Sequence, residues 1–495
     1  MPPYQRAAAV SGLSTRRGAA LLDKRARTGS SDRRQSVSRS DEPGASETHS
    51  RTVQLSGLVV WFLIGLVIPW VIYIGSLRLS VYRIVLVATI IPCFIRLARR
   101  EVGRIRLPDI AIILYSLWGT ICLVVAHGLA AGMQSAGILF VETTGAYLLG
   151  RCYIRSAEDF EKMVALLFKI VVVLLPFALV ETATGQKPVT MLFGIFLPTI
   201  EINPMEPRWG LTRVQGPYEH PILFGVCCGS ILALTHMVLG YRQALVRRWS
   251  KSVIVAGTAF LALSSGPLTA LVGQCLLLCW NRILIGIEAR WKILWGIVIL
   301  INIAIYLYSG ESIARFFISH APLFDAWSAY YRLLIWNYGT ETVLNHPIFG
   351  IGYHEYERPS WMPPSVDMFW LNHAIMFGFP GALLIGLTFV SSAALIGMKS
   401  GPDNRVDEFR TGYLLSMAGF FMVGWTVHFW NGTYSFFIFL LASGLWLAEV
   451  PDKPNSRKET GPATRRRTAM PNSLGDGEAS SRTIRRVSQQ GGHCR

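Results

Sequence analysis

Charge is scarce in this chain: only 16% of its 495 residues are Asp, Glu, Lys or Arg, where a soluble protein carries about a quarter. With 52% hydrophobic residues and a mean hydropathy of +0.39, that shortage excludes an ordinary soluble enzyme. The first fifty residues lack an apolar core, so no cleavable secretion signal is expected there. The eight cysteines are Cys93, Cys122, Cys152, Cys227, Cys228, Cys275, Cys279 and Cys494, and all but the last lie in or beside apolar stretches. Thiols placed there behave as small hydrophobes. Cys275 and Cys279 share a helix face, yet no His or further Cys completes a zinc set. Neither a disulfide framework nor a metal site is expected, and no repeat of fixed period stands out.

Apolar sequence is abundant and comes in runs. Many runs between Leu55 and Leu447 approach the roughly 20 residues that a helix needs to cross a bilayer. The expected fold class is an all-α polytopic membrane protein with about twelve helices: roughly 55–75, 80–97, 109–127, 133–150, 163–181, 219–240, 252–265, 267–281, 291–309, 369–396, 411–429 and 433–450. Two connections are long, about 182–218 and 310–368, and within the second 328–344 has the period of a surface helix with an aromatic face.

The net charge of +17 sits mostly in the tails. Residues 1–51 hold ten basic against five acidic side chains, and 451–495 ten against four. Both tails have too little apolar surface to fold, so they are expected to be disordered. No aromatic residues interleave their basic ones to stack on bases, so a nucleic-acid partner is not expected. The shorter basic loops, Arg96 to Arg106, Arg151 to Lys162, Tyr241 to Lys251, Asn281 to Lys292 and Lys399 to Arg410, fall on the same side as both tails. The positive-inside rule makes that side cytoplasmic, which leaves both long loops on the opposite face.

Those loops hold the chemistry. Arg208 and Arg213 approach Gly216-Pro217, and Glu219-His220-Pro221 opens the next helix. A guanidinium beside a helix N-terminus suits phosphate oxygens; equally, Arg213 can pair with Glu206 or Glu219, or reach lipid headgroups. In the second loop Arg332 follows Tyr330-Tyr331 and has the same two readings, clamp or interfacial anchor. His346 and His354 flank a glycine-bearing stretch, HPIFGIGY, and have side chains able to move protons near neutral pH. Arg358 and Trp361 begin RPSWMPPSVDMFWL. Asp367 ends it at the membrane edge, where an unpaired carboxylate is costly; it reads as a base, an ion-pair partner or a helix cap. Trp361 and Trp370 suit sugar stacking or an aromatic belt.

Taken together and in order, these motifs resemble the O-antigen ligase and polysaccharide polymerase superfamily of bacterial inner membranes. The likeness rests on Arg213-x-x-Gly216-Pro217 ending in His220-Pro221, Ser264-Ser265-Gly266, Tyr331-Arg332 to Trp336, His346-Pro347 with Phe349-Gly350-Ile351-Gly352, and Gly378-Phe379-Pro380-Gly381. RPSWMPPSVDMFWL is similar to the subgroup linked to exopolysaccharide synthesis. The resemblance implies a GT-C-type, metal-independent inverting glycosyltransferase without cofactor, acting at the periplasmic face on an undecaprenyl-diphosphate-linked glycan. Arg213 and Arg332 stand where the family binds the diphosphate. The acceptor is a glycan or a lipid, and a chain-length regulator and other synthesis proteins are further partners to expect. At the family's His-Asn pair this chain has Asp367-Met368, so the base falls to Asp367, to His373 or His354, or to no residue at all. Arg358, His346, Trp361 and Trp370 complete the expected substrate contacts. The rival reading is a transporter or flippase, whose ionisable groups sit near the membrane midplane in broken helices; Glu142, Glu181 and His236 are its few candidates.

Overall fold

The computed structural model describes residues 54–451 apart from 76, 203, 311–315, 317–325 and 400. The tails expected to be disordered lie outside these residues, save Pro451.

The described chain is mostly helical, and a helix occurs within each of the twelve stretches named above. Among the described residues, six helices are long and apolar enough to cross a membrane. They include α2 (Val81–Ala98), α3 (Leu107–His127), α6 (Ala157–Thr184) and α12 (Arg290–Ser309). The others are α14 (Phe369–Gly397) and α16 (Asn431–Ser443), which continues through a 3₁₀ turn to Ala448. Helix α16 is the central post: every residue from Thr433 to Ala448 is buried. Helix α12 is the opposite case, with no buried residue, as befits a helix whose solvent is lipid.

Local chemistry sets several ends. Ser156 accepts from the Asp159 amide at 3.1 Å to start α6, and Asp403 does so for Val406 at 2.8 Å to start α15 (Asn404–Val423); both are N-caps that satisfy otherwise orphaned N–H groups. The stretch 129–153 is continuous but not uniformly α-helical. A π-turn at Val141–Gly145 links α4 (Leu129–Phe140) to α5 (Ala146–Tyr153) and brings Glu142 to Arg83 and Tyr82, at 2.8 and 2.6 Å. Burying such a pair costs desolvation that only good geometry repays, and π-turns recur at functional sites.

The expected helix at 55–75 is cut short. Helix α1 covers only Gly57–Gly65, and Ile72–Ile74 pairs with Leu77–Leu79 as an antiparallel hairpin, β1 and β2. Pro69 cannot donate to a helix, and the 182–218 loop supplies a partner instead: Val71 N–H donates to Pro198 at 2.9 Å and Ile200 N–H to Pro69 at 2.9 Å. The first long loop is thereby tied down, and it folds a short helix, α7 (Pro188–Gly194). The single helix expected at 219–240 breaks into α8 (Pro221–Gly229) and α9 (Leu232–Met237). Helices α10 (Leu245–Phe260) and α11 (Ser265–Ile283) flank the Ser-Ser-Gly break, and α13 (Ala326–Asn345) covers the helical period expected at 328–344.

Candidate functional site

Several separate stretches meet near three guanidiniums, Arg208, Arg213 and Arg332. The first is the 205–220 segment. Thr182 Oγ1 donates to Thr212 O at 2.7 Å, Val214 N–H reaches Leu261 O at 3.0 Å, and the buried Glu181 carboxylate accepts the Gln215 and Gly216 amides at 2.8 and 3.0 Å. Lys187 Nζ closes on the same carboxylate at 2.8 Å. Gly216 has φ +57°, and a Cβ there would lie 2.9 Å from the Phe224 ring, so glycine is required at the bend. These ties fix Arg213, which is 8% exposed.

The guanidinium so placed is poorly served. Its Nε has no partner, and Nη1 finds only the Met205 sulfur at 3.9 Å. Neither Glu206 nor Glu219 pairs with it; Glu219 turns to Asn431 at 2.9 Å and Arg78 at 3.9 Å. Burial and the neighbouring Arg208 push Arg213 down to about 10. Arg208 comes from a tight turn whose central residues, Trp209 and Gly210, have φ of +54° and +75°. Its Nη1 donates to Leu263 O at 2.7 Å, beside the Ser-Ser-Gly break.

Arg332, on α13, is 7% exposed, and its Nε donates to Thr426 O at 3.2 Å. Burial lowers its pKa and Arg208 lowers it further, against the opposing field of Asp367. Thr426 also contacts the Ser-Ser-Gly break, since a Cβ on Gly266 would sit 2.9 Å from its Oγ1. Asp367 does not cap α14: the N-cap is Met368, without a side-chain bond. Surrounded by protein yet partly open to solvent, Asp367 has its pKa raised by burial, with Arg332 pulling it back. His220 belongs to the same group. Burial, Arg213, Arg208 and Lys187 push it down to about 4, so it is neutral at pH 7 and adds no charge.

Of the residues nominated from sequence, Arg332 and Asp367 adjoin, Arg208 links Arg332 to Arg213, and Arg358 lies near Asp367 across Tyr331 and Tyr356. Burial raises Tyr331 and Tyr356, and both also lie in the fields of Asp367 and Arg358; Arg358 itself pairs with Glu355 and lies over the Tyr356 ring. The rest are placed elsewhere. His346 sits 3.5 Å from Glu357. His354 stacks on His127 at 4.3 Å and meets Ala126 O at 3.1 Å. Trp361 is 60% exposed. Trp370 packs between Phe369, Phe389 and Phe421 and donates to Phe421 O at 3.2 Å. His373 is buried in the helical core, with Nδ1 2.7 Å from the Tyr115 hydroxyl and Nε2 without a partner.

The glycines of HPIFGIGY approach not a ligand but the broken turn of α14. Ile351 and Gly352 amides donate to Ile375 O and Met376 O, at 2.9 and 3.0 Å, and Phe379 N–H to Pro347 O at 2.8 Å.

Sequence reasoning underrated Glu181 and Arg208. A carboxylate near the end of a long apolar helix was the available signal. Because Glu181 holds two loop amides and a lysine, Glu181→Ala is expected to cost about 3 kcal/mol by uncovering them, read as a lower melting temperature in detergent. No family model matches the chain, and no curated protein does so either.

Proposed function

We propose that the chain is a multi-pass glycosyltransferase of the bacterial inner membrane, with twelve crossings, a GT-C-like helical fold and cytoplasmic termini. On this reading it polymerises or ligates undecaprenyl-diphosphate-linked oligosaccharides at the periplasmic face. The observation that carries the reading is a run of neighbouring buried charges: Arg213 lies beside Arg208, Arg208 beside Arg332, and Arg332 beside the deep carboxylate of Asp367. Mutually repelling guanidiniums with one unpartnered Nε suit a dianion, and a diphosphate leaving group develops charge where they point. Preorganised donors of that kind lower a transition state without reorganisation. On this reading Asp367 takes the proton of the acceptor hydroxyl as the new glycosidic bond forms at the anomeric carbon and the bond to the diphosphate breaks; its burial-raised pKa supports the role of base.

The base assignment has a signed pH dependence. Burial raises Asp367, so the transfer rate is expected to fall on the acid side at a pH above the ordinary carboxylate value of about 4. Asp367→Asn removes that limb and most of the rate. Stability runs the other way: a raised carboxylate binds its proton more tightly when folded, so this group's contribution declines as pH rises from its unfolded to its folded pKa.

A second reading, movement of the lipid-linked glycan between leaflets, is favoured by the broken helices and by the buried Arg83–Glu142 pair. Reconstitution of the purified chain in vesicles with lipid-linked oligosaccharide separates the two. Carrier release with rising product length supports polymerisation, and single transfers to an added acceptor support ligation. Donor exchange between leaflets without carrier release would replace both by transport.

A further inference from the structure

Beside the guanidinium cluster lies a second group of polar and aromatic side chains. Glu219 accepts from Asn431 Nδ2 at 2.9 Å, and Asn431 Oδ1 in turn accepts from Arg83 at 2.9 Å. Arg78, from β2, approaches Glu219 at 3.9 Å, and its own Nε is buried without a partner. The rings adjoin: Trp430 lies 6.1 Å from His220 at a steep angle and 6.1 Å from His428, nearly parallel. Glu219, His220, His428, Trp430 and Asn431 each retain partial exposure. The Glu219 side chain keeps 24% exposure while it is held by Asn431. Deep position with residual access is the mark of a recess, and His220, which feels Arg213 and Arg208, connects it to the phosphate-binding cluster.

The composition of this recess is particular. A carboxylate and a carboxamide held side by side present acceptors and donors to adjacent hydroxyls, and an indole face offers an apolar platform to a ring's C–H surface. Few convergent polar groups on an aromatic wall is the general form of a small-ligand site. We propose that Glu219, Asn431 and Trp430 form a carbohydrate subsite that holds the sugar next to the diphosphate. This inference rests on the lipid-linked donor of the proposed function. Trp430, rather than Trp361 or Trp370, is then the stacking residue.

The test compares two probes on the full-length protein in detergent: bare undecaprenyl diphosphate, and undecaprenyl-diphosphate-linked oligosaccharide extracted from source cells deleted for this chain. Wild type is expected to prefer the glycan-bearing lipid. Glu219→Gln keeps the acceptor that Asn431 uses, and is expected to lose about tenfold on the glycan-bearing lipid and less than twofold on the bare carrier. Trp430→Ala loses a similar factor by removing the platform, and the Gln variant supplies the answer if the Ala variant does not fold. Arg213→Ala weakens both probes alike. Unchanged glycan preference in Glu219→Gln overturns the subsite while leaving the donor reading intact, as does a wild type that binds both lipids equally. A wild type that binds neither lipid overturns the proposed function and the subsite with it.

Discussion

Replacing Arg213 is expected to abolish glycan transfer while leaving the protein as stable as before. The two halves of that result have one cause. Arg213 is buried beside Arg208, its Nε makes no bond, and no carboxylate among the described residues pairs with it. In the free protein the buried charge is therefore a burden, which the diphosphate of the proposed donor would relieve. Arg213→Met keeps most of the apolar stem that packs the loop and removes the charge. Its melting temperature is expected to stay within about 2 °C of wild type or to rise, while carrier release falls about 10³-fold, the scale of losing a preorganised transition-state donor. Arg213→Lys restores charge without the planar fork and is expected to recover only part of the rate. Arg332→Ala loses activity similarly, but its bond to Thr426 O adds a stability cost. Polymer made at the wild-type rate by both alanine variants would remove the clamp from the mechanism.

That site was partly legible beforehand, for a physical reason. An arginine or carboxylate in a chain with so little charge is expensive at the membrane edge, so Arg213, Arg332 and Asp367 stood out as single letters. Their juxtaposition did not, because it depends on contacts across most of the chain: Arg208 with Leu263, Arg332 with Thr426, Gly266 against Thr426. Helix positions were legible because apolar runs are long and local. Where they failed, at 66–79 and 219–240, the competing partner lay far off in sequence or the break fell inside an unbroken apolar run. His346, His354 and Trp361 looked equivalent to Asp367 as residue types, yet they occupy other contacts. The glycines of HPIFGIGY mark a place where backbones meet closely, and only the structure identifies the object of that approach.

That object is the break in α14, and Gly378→Ala is expected to be the most damaging single substitution for folding. Gly378 has φ +67° and ψ −174°, a region that is essentially confined to glycine. A Cβ there would strike the carbonyls of Ile348 and Pro347. The break also rests on an accounting of hydrogen bonds that a side chain would upset. Pro380 has no N–H to give Met376 O, and Gly352 N–H gives one instead; Phe379 N–H is diverted to Pro347 O, and Ile351 N–H serves the Ile375 O thus released. Phe377 O takes the Trp118 indole N–H at 2.9 Å. Every carbonyl from Ile375 to Phe377 is satisfied, as an apolar surrounding demands. Strain and displaced bonds together amount to about 4 kcal/mol or more, enough to leave little folded protein. Gly386 lies in the same helix with open space around it, so Gly386→Ala is expected to be neutral or mildly stabilising. Size-exclusion profiles of the two variants in detergent make the comparison. Equal profiles would mean that the loop does not hold the break, and that Asp367, fastened through Met362 and Met368 to the same packed cluster as Ile375, owes its position to something else.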